Sequence, residues 1–182
     1  MPSRTGHRSR PPLDPATLDA LALHYVGRFA TSKSKLVTYL NRKVRERGWE
    51  DVRAPEANTI AERLANLGYI DDSAFALAKA RALSGRGYGA RRVSQALHGA
   101  GISEEDGVAA RDLAHGARID AAVRLARRRR IGPFAPALLD TGQREKAIAA
   151  MLRAGHSFVL ARAIVDLPPG DRIDLDALAE VR

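Results

Sequence analysis

The sequence contains no cysteine, few aromatic residues and no long apolar run. Without cysteine the chain has no disulfide framework, no thiolate zinc site and no catalytic thiol, and a reducing compartment is its natural setting. No stretch approaches the roughly 20 apolar residues that a membrane span requires. The first twelve residues are basic and lack the apolar core of a signal peptide. The sequence therefore predicts a cytoplasmic protein that does not contact a membrane.

The abundant residues favour helix. Alanine (33) and leucine (20) far outnumber valine, isoleucine and threonine, which together number 24 among the 182 residues. This bias predicts an all-α fold, because the β-branched residues that favour strands are scarce. An apolar share of 45% is enough to bury a core in a chain of this length, so a wholly disordered protein is excluded.

The net charge of +9 is concentrated in two parts of the chain. Residues 1–48 carry +7 and residues 81–130 carry +6, whereas residues 49–80 and 131–182 carry −3 and −1. Of the 30 basic residues, 25 are arginine, whose planar guanidinium suits phosphate. A genome rich in G and C would also favour arginine over lysine. The two blocks favour a nucleic-acid partner, since a uniformly solvated surface would spread the charge.

Apolar residues recur at helical spacing in three successive groups of three helices. The central helices align at offsets of 53 and 54 residues, which indicates an internal repeat. The aligned positions are Leu40, Val44 and Gly48, then Val93, Leu97 and Gly101, then Ala147, Met151 and Gly155.

Helix ends carry recognisable signals. Thr31 or Ser32, Asp71, and Asp140 with Gln143 have the residue types that cap helix N-termini, and Ser103 with Asp106 resembles a capping box for the sixth helix. Glycines that follow the apolar runs predict left-handed helix ends.

The predicted organisation is three tandem three-helix repeats that stack into an elongated, curved modular rod. The repeats cover residues 13–69, 70–116 and 117–167, between a disordered basic tail (1–12) and a mobile acidic tail (168–182). One globular bundle with accidental periodicity is the alternative.

No catalytic, cofactor or metal site is predicted. The five histidines lack partners at metal-ligand spacing, and the acidic pairs and triplets lie at helix starts, where carboxylates offset the helix dipole. The nucleophile, base and oxyanion groups that an enzyme needs do not converge in the sequence. We therefore predict a non-enzymatic protein without a cofactor.

Ten basic residues are the predicted contacts for DNA or a partner protein. The glycine-rich turn at 85–89 opens a helix whose free N–H groups suit a phosphate, aided by nearby arginines. A second set lies on one stripe of the second helix, opposite Leu40 and Val44, and a third is a run of four arginines that repel one another without an anion. The ten are Arg86, Arg91 and Arg92; Lys35, Arg42 and Arg45; and Arg127, Arg128, Arg129 and Arg130.

Aromatic residues are too few to predict a stacking platform for single strands. The nine aromatic side chains include five that fall on apolar helix faces: Tyr25, Phe29, Tyr69, Phe75 and Phe158. Binding to single- or double-stranded DNA should therefore use mainly phosphates and should be sensitive to salt.

Segments 68–76 (GYIDDSAFA) and 87–93 (GYGARRV), followed by Leu97, Gly101 and Ile102, resemble the signature of the RecX family. The resemblance extends over residues 18–167 and is strongest over 64–102. It implies three tandem three-helix repeats and a regulatory protein that binds the RecA filament on DNA. It also implies inhibition of the ATPase, strand-exchange and coprotease activities of RecA. Lys35, where the family usually has an acidic residue, departs from the pattern.

Two hypotheses follow. The first is a monomeric modulator of the RecA–DNA filament. The alternative is a stand-alone basic helical module that binds nucleic acid without a recombinase partner.

Overall fold

A computed structural model describes residues 11–180 and confirms the all-α class. The described residues form ten α-helices, no strand of a sheet, and one short 3-10 helix at Gly132–Phe134. The helices are α1 Pro15–Arg28, α2 Lys33–Arg47, α3 Ala57–Asn66, α4 Asp72–Gly85, α5 Ala90–His98, α6 Val108–Gly116, α7 Arg118–Arg129, α8 Thr141–Arg153, α9 Phe158–Val165 and α10 Leu175–Glu180.

The chain divides into two compact units, Met1–Phe75 and Ala76–Arg182. The first unit corresponds closely to the first predicted repeat, whereas the second contains most of the other two. The count of three repeats and their stacking into a rod stay predictions.

Helices α1 to α3 enclose the core of the first unit. Asp14 caps α1 by accepting a hydrogen bond from the Thr17 N–H at 2.7 Å, and Ser32 caps α2 by accepting one from the Lys35 N–H. The helices bury their apolar faces against one another, and each fully enclosed leucine contributes about 1.5 to 3 kcal/mol of stabilising free energy. The core consists of Leu13, Leu18, Ala22, Leu36, Leu40, Ala57, Ile60, Ala61, Leu64 and Ile70.

The start of the described chain is fixed to the end of α2. The Leu13 N–H donates to the Gly48 carbonyl at 3.0 Å, and the Glu50 N–H donates to the Leu13 carbonyl at 2.9 Å. The Arg47 guanidinium also donates twice to the Pro11 carbonyl. The predicted basic tail therefore ends before Pro11, and its residues 1–10 lie outside the described part.

Helices α7 to α10 surround the core of the second unit. Asp140 and Gln143 form the predicted capping box at α8, with both reciprocal hydrogen bonds present. The core consists of Ala122, Leu125, Ala126, Ile131, Ala147, Met151, Ala154, Leu160, Ala161, Ile164, Val165 and Leu178.

The glycines at the aligned ends of the central helices all have positive φ angles. Gly48, Gly101 and Gly155 have φ angles of +87°, +67° and +94°, which L side chains rarely adopt. Positive φ is therefore confirmed at all three positions, although Gly48, with a ψ of 171°, lies outside the left-handed helical region.

The acidic segment 168–182 differs from the mobile tail that the sequence predicts. Within it, Leu178 of α10 is buried in the core of the second unit, and Ile173 packs against the same core. The Arg118 guanidinium donates to the Ala179 carbonyl at 3.0 Å. These contacts hold in place a short helix that would be unstable alone.

Candidate nucleic-acid interface

The stripe on α2 forms as the sequence predicts. Lys35, Arg42 and Arg45 are exposed, while Leu40 is fully buried on the other side of the helix. Their charges therefore face solvent on a surface that a polyanion can approach. We call these three residues the α2 stripe.

Glu46 partly neutralises this surface, a feature that the sequence analysis missed. Its carboxylate accepts from Arg42 at 3.1 Å and from Lys43 at 2.6 Å. These cations, the Lys43 hydrogen bond first, hold the pKa of Glu46 below its usual value. The spacings of four and three residues along one helix were the available signal.

The glycine-rich turn at 85–89 does not offer the free phosphate-binding N–H groups that the sequence predicts. The Gly89 N–H donates to the Ala154 carbonyl at 2.9 Å, and the Arg91 N–H donates to the Gly155 carbonyl at 3.3 Å. These two donors are thus used by the turn after α8. The physical cause is that the Ala154 carbonyl, 65 residues from Gly89 in sequence, takes the place that an anion would have at this amide.

The same turn packs closely against α7. Gly87 has a φ of +83°, and a Cβ atom there would lie 3.1 Å from the Leu125 amide nitrogen. The buried His156 reinforces the contact, since its Nε2 lies 3.1 Å from the Gly87 carbonyl. Burial lowers the pKa of His156 below 6.5, so this imidazole is neutral and structural at physiological pH.

This packing joins two predicted groups of arginines. The Arg128 Nη1 donates to the Arg86 carbonyl at 2.6 Å, although 42 residues separate them. Arg86 lies 5.5 Å from the Tyr88 ring centroid, and Arg127 lies 5.1 Å from that of Phe134. All members of this set are exposed: Arg86, Arg127, Arg128, Arg129 and Arg130. We call these five residues the arginine cluster.

Arg91 and Arg92 are exposed on α5. Arg91 lines a cleft of about 610 Å³ together with Arg118, His115 and Ser157. The structure therefore assigns Arg91 to this cleft, while Arg92 is exposed on the same helix and belongs to neither the cleft nor the arginine cluster. Arg118 and His115 are further cationic or titratable groups that the sequence analysis did not select.

The expectation that aromatic residues lie on buried faces is wrong for three of the five named. Phe29, Tyr69 and Phe158 are 53%, 55% and 51% exposed. Helical periodicity misplaced them because Phe29 and Tyr69 lie just beyond helix ends and Phe158 begins α9. The face of a residue at a helix end is set by the loop as much as by the helix.

The acidic residues at the start of α4 act as helix caps. The Asp71 carboxylate accepts from the Ala74 N–H at 2.8 Å, and that of Asp72 accepts from the Lys33 N–H at 3.0 Å. Among residues 11–180, no group of three or more His, Cys, Asp or Glu side chains is placed to hold a metal ion. No helix in the described part is long and apolar enough to cross a membrane.

The fold and these surfaces define an all-α protein with exposed, arginine-rich faces. No family model matches the chain. It is 34% identical over 171 residues to the regulatory protein RecX of Myxococcus xanthus, covering 86% of this chain and 88% of that protein. It is 26% identical to the regulatory protein RecX of Agrobacterium fabrum, over 85% of this chain and 84% of that one. The chain belongs to the RecX family of regulatory proteins.

A solved structure of a regulatory protein RecX has the same fold. It superimposes with a TM-score of 0.55 at 22% sequence identity, covering 79% of this chain and 70% of that one.

Proposed function

We propose that this RecX-family regulator binds the RecA filament on DNA and inhibits its ATPase, strand-exchange and coprotease activities. The observation that carries the proposal is the 34% identity, over most of both chains, to a protein named regulatory protein RecX. The segments 68–76 and 87–93 support the same conclusion through their resemblance to the family signature.

The proposed contacts are the exposed cations. The α2 stripe and the arginine cluster place guanidinium and ammonium groups at the surface, where they can neutralise phosphates and release counterions. Arg91 and Arg92 add two further positive charges on α5. Because the α2 stripe and the arginine cluster belong to different compact units, simultaneous contact can convert modest affinities into avidity.

Inhibition by this route requires neither catalysis nor a cofactor. A bound protein that contacts both DNA and filament hinders the addition or movement of subunits. We propose that the protein acts as a monomer in the cytoplasm. Sedimentation of the purified protein measures its mass in solution and so tests the monomeric state.

The direct test adds the purified protein, at substoichiometric ratios, to cognate RecA hydrolysing ATP on single-stranded DNA. We expect the rate of hydrolysis to fall with added protein. An unchanged rate across the concentration series contradicts the proposed function.

Two double variants test the contact surface. Arg127→Gln with Arg129→Gln removes two charges from the arginine cluster and should raise the concentration needed for half-inhibition several-fold. Arg153→Gln with Arg172→Gln removes the same charge from exposed positions of the second unit and should leave it close to wild type. Equal effects from both pairs would show that net charge, and not the arginine cluster, determines inhibition.

The stand-alone nucleic-acid module is the second candidate, favoured by the exposed cations alone. Tight binding to naked DNA without any effect on preformed RecA filaments would select it. A salt titration of DNA binding would then give the number of phosphates engaged.

A further inference from the structure

Three aromatic rings meet at the surface of the first unit, where α1 ends beside α2. The ring centroids of Tyr25 and Tyr39 lie 4.3 Å apart in a stacked arrangement, and those of Tyr25 and Phe29 lie 5.3 Å apart. Tyr25 lies in the last turn of α1, and Phe29 is the C-cap residue that follows this helix with an extended backbone. We call Tyr25, Phe29 and Tyr39 the aromatic cluster.

Positive charges lie against these rings. The Arg28 guanidinium carbon is 5.9 Å from the Phe29 centroid. The Arg42 guanidinium carbon and the Lys43 ammonium nitrogen are 5.6 Å and 5.9 Å from the Tyr39 centroid. Glu46 pairs with two of these cations and so reduces the local charge from +3 to +2. The surface still combines aromatic faces with a positive excess, as single-stranded nucleic acids require of a binding site.

A structural role accounts for two of the rings only. Tyr25 and Tyr39 are half-buried and pack against the core of the first unit. Phe29 is 53% exposed, because α1 ends at Arg28 and the extended backbone at Phe29 continues beyond the helix. An exposed phenyl ring beside an arginine contributes little to the stability of the core, and this ring is accessible to a ligand.

We propose that the aromatic cluster binds single-stranded nucleic acid by stacking an unpaired base on Phe29, while Arg28 and Arg42 contact neighbouring phosphates. This inference rests on the proposed function in taking DNA as a partner, and it deepens that function by naming the form of DNA contacted. A duplex covers the faces of its bases, whereas a naked single strand exposes them. The site therefore distinguishes free single strands from duplex. Contacts with phosphates alone would distinguish them less well, because both forms carry phosphates.

The test compares binding to two single strands of equal length, oligothymidylate and an abasic backbone of about 15 nucleotides, by fluorescence anisotropy without RecA. The wild-type protein should prefer oligothymidylate by about fivefold or more, the effect of stacking one base. Phe29→Leu keeps an apolar side chain but removes the ring, and should abolish most of the preference. Phe158→Leu is the matched control, because Phe158 is 51% exposed and belongs to the second unit.

Arg45→Gln separates the contribution of phosphate contacts to the DNA affinity from the contribution of base stacking. Arg45 is exposed on α2, so its loss should weaken binding to both strands equally and leave their ratio unchanged. Circular dichroism of each variant verifies the fold.

Three results would overturn the inference: equal wild-type affinity for both strands, an unchanged ratio in Phe29→Leu, or the same loss in Phe158→Leu. If Phe29→Leu leaves oligonucleotide binding intact and weakens only the inhibition of RecA, the cluster docks protein and the inference is also wrong. The proposed function is judged separately by the ATPase assay, which can succeed while this test fails.

Discussion

Acid should destabilise the protein through His156. This side chain is 2% exposed, and its Nε2 lies 3.1 Å from the Gly87 carbonyl, which can only accept a hydrogen bond. The neutral imidazole therefore carries its proton on Nε2. Protonation adds a charge at Nδ1, which is buried and has no hydrogen-bond partner among the described residues.

The sign of the effect follows from the direction of the pKa shift. Burial lowers the pKa of His156 in the folded state below the value of 6.5. Above about pH 6.5 the imidazole is neutral in both states, and its contribution to stability is fully present. As the pH falls below 6.5, the unfolded chain takes up the proton first, so stability is lost until the folded-state pKa is reached.

The loss has an upper limit of about 1.4 kcal/mol per pH unit for one such group. We expect the free energy of unfolding, measured by urea denaturation with circular dichroism, to fall by up to this amount between pH 6.5 and 5.5. His156→Gln can still donate to the Gly87 carbonyl but does not titrate, so this fall should shrink. His98→Gln, at an exposed position of α5, should retain the wild-type fall. An undiminished fall in His156→Gln would refute the reasoning.

Three further predictions, tested with four variants, concern the packing and the surface charge. Gly87→Ala places a side chain at a φ of +83° against α7 and should lower the free energy of unfolding by about 2 kcal/mol or more. Gly85 has open space around it, so Gly85→Ala should change the free energy of unfolding by less than about 1 kcal/mol. Similar denaturation midpoints for the two variants would contradict this. Leu178→Ala should cost up to about 3 kcal/mol and speed proteolysis near α10, and unchanged cleavage would count against the docking of α10. Glu46→Gln should tighten DNA binding at low salt by leaving Arg42 and Lys43 unpaired, and weaker binding in anisotropy titrations would contradict this.

Features determined within one helix turn were predictable from the sequence. Ser32, Asp71 and Asp140 cap helices as expected, because a capping side chain needs only the N–H groups two or three residues ahead. The exposed α2 stripe was predictable for the same reason, since the helix period fixes which residues share a face.

Ser103 and Asp106 show the limit of local patterns. Ser103 Oγ accepts from the Asp106 N–H at 3.0 Å and donates to its carboxylate at 2.7 Å, yet α6 begins only at Val108. The motif therefore forms a turn before the helix. Its hydrogen bonds are local, and the N-cap position of α6 is occupied by Gly107, which has no side chain to cap the helix.

Features that join distant parts of the chain were not predictable. The hydrogen bond from Arg128 to Arg86 unites two groups of arginines, and nothing in either segment signals the other. The donors of the 85–89 turn look free in sequence because their acceptors, Ala154 and Gly155, belong to another helix pair. The grouping of the candidate residues into surfaces therefore required the tertiary structure, and their contacts with DNA or a partner stay predictions.

The seam between the 85–89 turn and residues 154–155 constrains how the protein can be dissected. A fragment ending at residue 116 would leave the Gly89 and Arg91 amides without the Ala154 and Gly155 carbonyls that accept from them in the intact chain. The segment 70–116, which periodicity predicts to be a module, therefore depends on residues outside its own bounds for these hydrogen bonds. Peptides that end at residue 116 would lack these contacts. Substitutions in the whole chain are therefore the better way to map the surfaces that bind partners.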